Sequence, residues 1–97
     1  MVTTSELVQL LVQALRDTSR RVEHVKRFQE LVWATEKIGT DAEVERMLRD
    51  LAYDLDHFEP DERLRAGNPS LYGDTRLQRE IQLALQRLGP GALKGIS

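Results

Sequence analysis

Apolar residues return every three or four positions in four separate segments of the chain, which is the spacing of one face of an α-helix. The third segment is the most regular, with apolar residues at Val44, Met47, Leu48, Leu51, Leu55 and Phe58. No segment alternates apolar and polar residues with the two-residue period of a half-buried strand. The pattern predicts helices over residues 4–16, 19–37, 41–57 and 75–88.

Capping and stop signals support these boundaries. The segments 3–6 and 40–43 each read Thr-x-x-Glu, the spacing of a capping box, in which side-chain oxygens accept hydrogen bonds from the first free backbone amides of a helix. Asp17-Thr18-Ser19 supplies turn and cap residues before the second helix. Pro60 ends the third helix, and Gly89-Pro90 ends the fourth.

The segment between the third and fourth predicted helices is long and polar. Residues 59–73 include Pro60, Gly67, Asn68, Pro69, Ser70 and Gly73, which predicts a long ordered loop or a broken connector. A chain of 97 residues has room for one domain. We therefore predict an all-α, single-domain antiparallel four-helix bundle over residues 1–97, with a long loop before the last helix and a tail over 90–97.

The composition excludes several classes of site. The chain has no cysteine and two histidines, so disulfides, thiolate zinc sites and cysteine nucleophiles are excluded, and we expect no cofactor and no metal. Neither a signal peptide nor a membrane-spanning segment is evident, and we expect a cytoplasmic protein. A helical core without cysteines must be stabilised by the packing of Leu, Val, Ile and Ala side chains.

Charge is distributed unevenly along the chain. Residues 41–62 contain nine acidic and two basic residues, although the net charge of the whole chain is only −2. The second predicted helix carries a basic side, formed by Arg20, Arg21, Lys26 and Arg27. A sequence pI near 5.7 and the lack of a base-reading helix argue against nucleic-acid binding. The basic patch would then balance the acids of the third helix.

The acids of the third helix fall along one side of it, opposite the apolar stripe, and lead into the turn that follows. This predicted ridge consists of Glu43, Asp50, Asp54 and His57 and continues into Glu59, Asp61 and Glu62. One interpretation is a solvated helix face whose charges complement the second helix. The other is an interface for a basic partner, which requires several carboxylates that no neighbouring residue neutralises.

A short motif at the end of the third helix resembles a known family. The residues are Asp56-His57-Phe58-Glu59-Pro60-Asp61, followed after the connector by Tyr72-Gly73-Asp74, with Phe28 in the second helix at a further similar position. They resemble the colicin D immunity protein family, and the match at Phe58-Glu59-Pro60-Asp61 is complete. The resemblance implies a small four-helix bundle that inhibits a tRNA-cleaving toxin domain.

The resemblance also implies a mechanism, in which carboxylates occupy the basic substrate cleft of the nuclease where tRNA phosphates would lie. Asp56, Glu59 and Asp61 would be the acids that contact the toxin, in a 1:1 complex with a monomer of this chain. Three further acids are predicted from charge geometry alone: Glu62, Asp54 and Asp50. The long connector and its positive charges, Arg63 and Arg65, differ from the family pattern, so the toxin need not be a nuclease of the same specificity.

The competing functional classes are catalysis and a helical adaptor. Catalysis is disfavoured, because the acids project from an exposed helix face and a turn without a nucleophile or a glycine-rich phosphate loop. We therefore predict that the protein is not an enzyme. A helical adaptor or homodimerisation module remains the alternative. Trp33 is expected to cover the edge of the bundle as a core residue, and the alternative is a half-exposed ring that anchors an interface. Phe58 and Pro60 are assigned to the scaffold.

Overall fold

The computed structural model describes residues 3–38 and 42–88, which form five α-helices. These are α1 (Thr4–Arg16), α2 (Arg21–Ala34), α3 (Ala42–Leu55), α4 (Glu62–Ala66) and α5 (Asp74–Leu88), with a 3-10 turn over Thr18–Arg20 before α2. The described part of the chain contains no β-strand, and the predicted all-α fold is confirmed.

The four long helices lie close to their predicted positions. Helix α1 has the predicted bounds, α5 begins one residue earlier at Asp74, and α3 ends two residues earlier at Leu55. Helix α2 ends at Ala34 rather than at residue 37, because Thr35 adopts an extended backbone conformation. The connector of residues 59–73 is broken by the short helix α4. The second capping box, at 40–43, and the predicted tail at 90–97 lie wholly or partly outside the described residues.

Two predicted caps are present at the start and end of α1. The Thr3 hydroxyl accepts a hydrogen bond from the amide of Glu6 at 3.2 Å. The Asp17 carboxylate accepts bonds from the Ser19 hydroxyl at 2.9 Å and from the Arg20 amide at 3.3 Å. These bonds satisfy backbone amides that helix geometry leaves free, so the chain reverses between α1 and α2 within four residues.

The four long helices surround one hydrophobic core, and each of them packs against two of the others. Helix α1 contacts α2 and α5, and α3 contacts α2 and α5, so the ring of neighbours is closed. The largest fully buried side chains are Phe28, Leu7, Leu11, Ile38, Leu48, Leu55, Leu77, Ile81, Val8 and Val32. Within residues 3–38 and 42–88, no helix has both the length and the apolar character needed to cross a bilayer.

Polar contacts show that α2 and α3 are antiparallel. The Gln29 amide donates to the carbonyl of Ala52 at 3.0 Å, and further along the pair the Ile38 amide donates to the Glu45 carboxylate at 3.0 Å. Between them, the Arg49 guanidinium donates to the carbonyls of Val32 at 3.1 Å and Thr35 at 2.9 Å. Arg49 thus caps the C-terminal end of α2, whose last carbonyls have no partner within the helix.

The Arg21 guanidinium joins three helices at one end of the bundle. Although Arg21 is only 4% exposed, its Nε donates to the carbonyl of Ala14 at 2.7 Å and its Nη2 to that of Leu15 at 3.1 Å. Its Nη1 donates to the Asp74 carboxylate, the first residue of α5, at 2.8 Å. Its placement on the exposed basic side of the second helix was therefore wrong: the charge is turned inward to the carbonyls at the end of α1.

We predict that Arg21→Met lowers the free energy of unfolding by about 3 kcal/mol, because the buried carbonyl of Ala14 and the partly buried carbonyl of Leu15 lose their donor and Asp74 loses its counter-ion. Asp74→Asn is the matched control: the carboxylate is half exposed, so its change is expected to be about 1 kcal/mol or less. Urea denaturation of the three proteins measures both values. Equal stability of wild type and Arg21→Met would contradict the assigned role.

We also predict a contribution of Glu45 to acid stability. Hydrogen bonds from the Ile38 amide and from Arg49 hold the pKa of the Glu45 carboxyl below 4.5. A carboxyl with a lowered pKa in the folded state stabilises the fold above its unfolded pKa, and the stabilisation is lost as the pH falls through the folded pKa. Glu45→Gln should therefore make the loss of stability below pH 4.5 less steep. Asp17, with a pKa lowered mainly by His24, retains part of the dependence.

Candidate functional site

The six acids predicted to bind a partner fall into two groups. Asp50 and Asp54 lie on α3, and the others lie in or beside the acidic turn, a name used here for residues 56–62: Asp56, Glu59, Asp61 and Glu62. Helix α3 ends at Leu55, where the chain turns away, and the two groups face different neighbours. The predicted continuous ridge is thus divided at the C-terminal end of α3.

The acidic turn is held beside the start of α5 by a short backbone bridge. The Glu59 amide donates to the Tyr72 carbonyl at 2.9 Å, and the Tyr72 amide donates to the His57 carbonyl at 2.9 Å. Between these bonds the rings of Phe58 and Tyr72 lie 6.5 Å apart. Phe58 is partly buried against the core, in agreement with its assignment to the scaffold. The bridge positions the turn although 13 residues separate the two segments along the chain.

The Arg65 side chain links the two ends of the connector, residues 59–73. Its Nη1 donates to the carbonyl of Glu59 at 2.7 Å, and the guanidinium lies against Gly73. A Cβ at Gly73 would come within 2.6 Å of that Nη1, so a larger residue there would displace the guanidinium. Much of the positive charge that the sequence places beside the acidic turn is therefore directed to a backbone carbonyl. Arg63 remains exposed.

Glu59 and Asp61 use one carboxylate oxygen each to shape the turn. Glu59 Oε2 accepts from the Asp61 amide at 3.2 Å, and Asp61 Oδ1 accepts from the Arg63 amide at 2.9 Å. The second bond caps the N-terminus of α4. Each carboxylate retains a second oxygen that makes no hydrogen bond within the described residues, so both are structural and available to a partner.

Of the six predicted acids, Asp54 makes the hydrogen bonds that link the most distant parts of the chain. The Tyr72 hydroxyl donates to the Asp54 carbonyl at 2.8 Å and to Oδ2 of its carboxylate at 3.0 Å. Burial, together with the negative charge of Asp54, raises the pKa of the Tyr72 hydroxyl, which keeps it a hydrogen-bond donor at neutral pH. Across the same ring, the Arg76 guanidinium lies 5.0 Å from the centroid.

A groove between α3 and α5 has an acidic rim. Its volume is about 390 Å³, and apolar side chains such as Met47, Leu51 and Ala84 line it beside the charged ones. The acids along it are Glu43, Asp50, Asp54 and Glu80, and the bases are Arg46 and Arg87. A smaller cavity of about 240 Å³ lies between α2 and the acidic turn, and its lining includes Asp56, Glu59 and Lys26.

Three of the predicted acids have no intramolecular partner in the described part of the chain. These unpaired acids are Asp50, Asp56 and Glu62, all of which are exposed. Only two bases lie between residues 41 and 62, and one of them, Arg49, is directed to carbonyls of α2 and to Glu45. The negative charge at the solvent-facing surface is consequently less compensated than the residue count indicates.

The basic residues of α2 form no ion pair with these acids in the described part of the chain, although Lys26 lines the same cavity as Asp56 and Glu59. Arg21 pairs with Asp74 of α5, and the exposed Arg27 lies 3.8 Å from Glu30 of its own helix. Among the residues that the structure describes, no ion pair joins α2 to an acid of α3 or of the acidic turn. The interpretation in which the second helix balances the third is therefore not supported by the contacts.

An exposed aromatic pair lies on the α2–α3 side of the molecule and was not predicted. The Trp33 ring lies 5.9 Å from that of Tyr53, with 46° between the ring planes. Trp33 is 47% exposed and Tyr53 is 67% exposed, so the expectation that Trp33 is a core residue was wrong. Tyr53 follows Leu51 and Ala52 at a position opposite the apolar stripe of α3, and this spacing was the available signal for its exposure.

The arrangement offers binding chemistry based on carboxylates and aromatic rings. Within residues 3–38 and 42–88, no three His, Asp or Glu side chains form a group that could hold a metal ion. Comparisons with protein-family models, curated proteins and solved structures each found no match to the chain. The functional assignment consequently depends on the geometry and charge of the residues described above.

We predict that neutralising all three unpaired acids, by Asp50→Asn, Asp56→Asn and Glu62→Gln, changes the free energy of unfolding by no more than about 0.5 kcal/mol, because none of them has a partner to lose. Tyr72→Phe, in contrast, should lower it by about 1 kcal/mol, since Asp54 loses the hydroxyl donor. Urea denaturation compares the two variants with wild type. A marked loss of stability in the triple variant would identify these acids as structural.

Proposed function

We propose that this chain is an inhibitory binding protein of the immunity type, which binds a basic bacterial nuclease toxin domain through the acidic surface of α3 and the acidic turn. The observation that carries the proposal is the set of unpaired acids, Asp50, Asp56 and Glu62, which are exposed and have no partner in the described part of the chain. The resemblance at Phe58-Glu59-Pro60-Asp61 supports the same conclusion.

The chemistry of a nuclease explains why carboxylates would inhibit it. A cleft that binds a phosphate backbone concentrates Lys and Arg side chains, and carboxylates accept charge-assisted hydrogen bonds from the same donors. Like charges gathered on one surface also cost free energy, because Asp50 and Asp54 are four residues apart on one helix, and such a pair destabilises it by about 0.2–0.5 kcal/mol. A basic partner would neutralise these carboxylates, and the relief of their repulsion would add to the free energy of binding.

The rigid elements around the acids favour this mode of binding. Asp56 lies between the end of α3 and a turn that is bonded to Tyr72 on both sides of Phe58. Glu62 begins α4, whose N-terminus Asp61 caps. Carboxylates on a preorganised backbone lose less conformational entropy on binding than those on a mobile loop. Binding rather than catalysis is also favoured, because the acids point outward and do not converge on a reacting group.

We predict that binding weakens when the two unpaired acids of the acidic turn, Asp56 and Glu62, are neutralised. With the nuclease domain of the toxin encoded beside the gene for this chain, we expect Asp56→Asn with Glu62→Gln to slow association by about tenfold at low salt, because steering depends on charge. The matched control, Glu6→Gln with Glu23→Gln, removes the same charge from exposed positions on α1 and α2 and should bind within about twofold of wild type.

Growth of cells that express the active toxin domain tests inhibition directly. Wild type and the control variant should restore growth, the acidic-turn variant should restore it poorly, and the association rate of wild type should fall steeply as salt is added. Equal protection by both double variants would overturn the assignment of the interface. If wild type neither binds nor protects, or if no neighbouring toxin exists, the immunity proposal fails and a helical adaptor or homodimerisation module becomes the better account.

A further inference from the structure

The aromatic pair Trp33 and Tyr53 has the properties of an interface anchor. Both rings are largely exposed, and together they form one patch across α2 and α3. Neither the indole N–H nor the phenol hydroxyl has a hydrogen-bond partner among the described residues. Large aromatic side chains with a polar atom free for a partner are the residues that most often contribute strongly to binding at protein interfaces.

The backbone beneath the pair is rigidly clamped. The Gln29 side chain donates to the Ala52 carbonyl, immediately before Tyr53, and the Arg49 guanidinium donates to the Val32 carbonyl, immediately before Trp33. Gln29 is 7% exposed, and Val32 and Ala52 are fully buried. These hydrogen bonds therefore fix α2 against α3 next to both rings. The patch is therefore presented in one arrangement, which reduces the entropy lost when a partner binds it.

The charge around the pair determines which partner fits. On α3, the exposed carboxylate of Asp50 lies about 60° to one side of Tyr53, three residues before it. The exposed Asp56 is the first residue after α3, and its amide donates to the Tyr53 carbonyl at 3.2 Å. Neither carboxylate has an ion-pair partner in the described part of the chain. The exposed bases on this side include Arg46 on α3 and Lys26, seven residues before Trp33 on α2, whereas Arg49 is directed to carbonyls at the end of α2. A second copy placed on the patch would bring these carboxylates together, whereas a basic surface would pair with them.

We propose that Trp33 and Tyr53 form the anchor on which a Lys or Arg side chain of the basic partner stacks, while Asp50 and Asp56 accept hydrogen bonds from the same basic surface. Aromatic faces attract cations through the ring quadrupole, and the attraction strengthens when the partner excludes water from it. The inference rests on the proposed function and adds to it the residues that hold the bound partner. The acids govern the encounter, and the aromatic pair governs how long the complex lasts.

The test replaces each ring with a smaller apolar side chain that has no aromatic face. Trp33→Leu and Tyr53→Leu keep an apolar side chain but lack an aromatic face, and Tyr53→Phe keeps the face but lacks the hydroxyl. With the nuclease domain of the neighbouring toxin as probe, each leucine variant should weaken binding by about tenfold or more, chiefly through faster dissociation. Tyr53→Phe should bind within about threefold of wild type. Thermal unfolding of each variant, expected at the wild-type temperature, excludes misfolding as the cause.

The outcomes separate this inference from the proposed function. If wild type binds the nuclease domain and both leucine variants bind equally well, the anchor is absent and the immunity proposal stands. If Tyr53→Phe weakens binding as much as Tyr53→Leu, a hydroxyl hydrogen bond replaces the stacked cation and the inference is overturned. A concentration-dependent dimer of wild type that Tyr53→Leu dissociates, seen by sedimentation equilibrium without toxin, would assign the patch to a second copy instead.

Discussion

The buried guanidinium of Arg21 determines how the ends of three helices meet. Arg21 is the first residue of α2, and its guanidinium donates to two carbonyls at the end of α1 and to the Asp74 carboxylate at the start of α5. An unpaired charge at this depth would be costly, so the arrangement holds only while all three ends stay together. Since Tyr72 lies two residues before Asp74, the same contact positions the backbone bridge that orders the acidic turn. The acidic turn, which is part of the surface proposed to bind a partner, therefore depends on the contact at the neighbouring start of α5.

The periodicity of apolar residues was sufficient to predict four long helices, because α-helices bury one face at a fixed spacing. Capping side chains such as Thr3 and Asp17 were also predictable, since they bond to amides within three residues. Arg21 was assigned to the surface because a charged residue usually lies there. Its carboxylate partner is 53 residues away in sequence, and no local pattern contains that information.

For the candidate site, the sequence was sufficient to locate the acids but not to predict their contacts. Counting charges located the acids but treated them as equivalent. Their contacts show three different states of the carboxylate: bonded to a distant residue, capping a helix, or without a partner in the described part of the chain. The Asp54 carboxylate is bonded to Tyr72, 18 residues later, and the Asp61 carboxylate caps α4. The Asp56 carboxylate has no partner in the described part of the chain. The inward direction of Arg49 and the exposure of Trp33 likewise depend on how α2 packs on α3. These are properties of tertiary packing, which a one-dimensional pattern does not encode.

The separation between bonded and unpaired acids has a consequence for the divergence of related sequences. Substitution of residues whose side chains hold the turn together, such as Tyr72 and Asp61, removes hydrogen bonds and so lowers the stability of the fold. Asp50, Asp56 and Glu62 carry no such constraint, so they can be exchanged one at a time while the scaffold remains intact. A lineage could thus acquire a new binding preference by surface substitutions that leave stability unchanged, and homologues would retain the buried frame while losing similarity at the positions that recognise the partner.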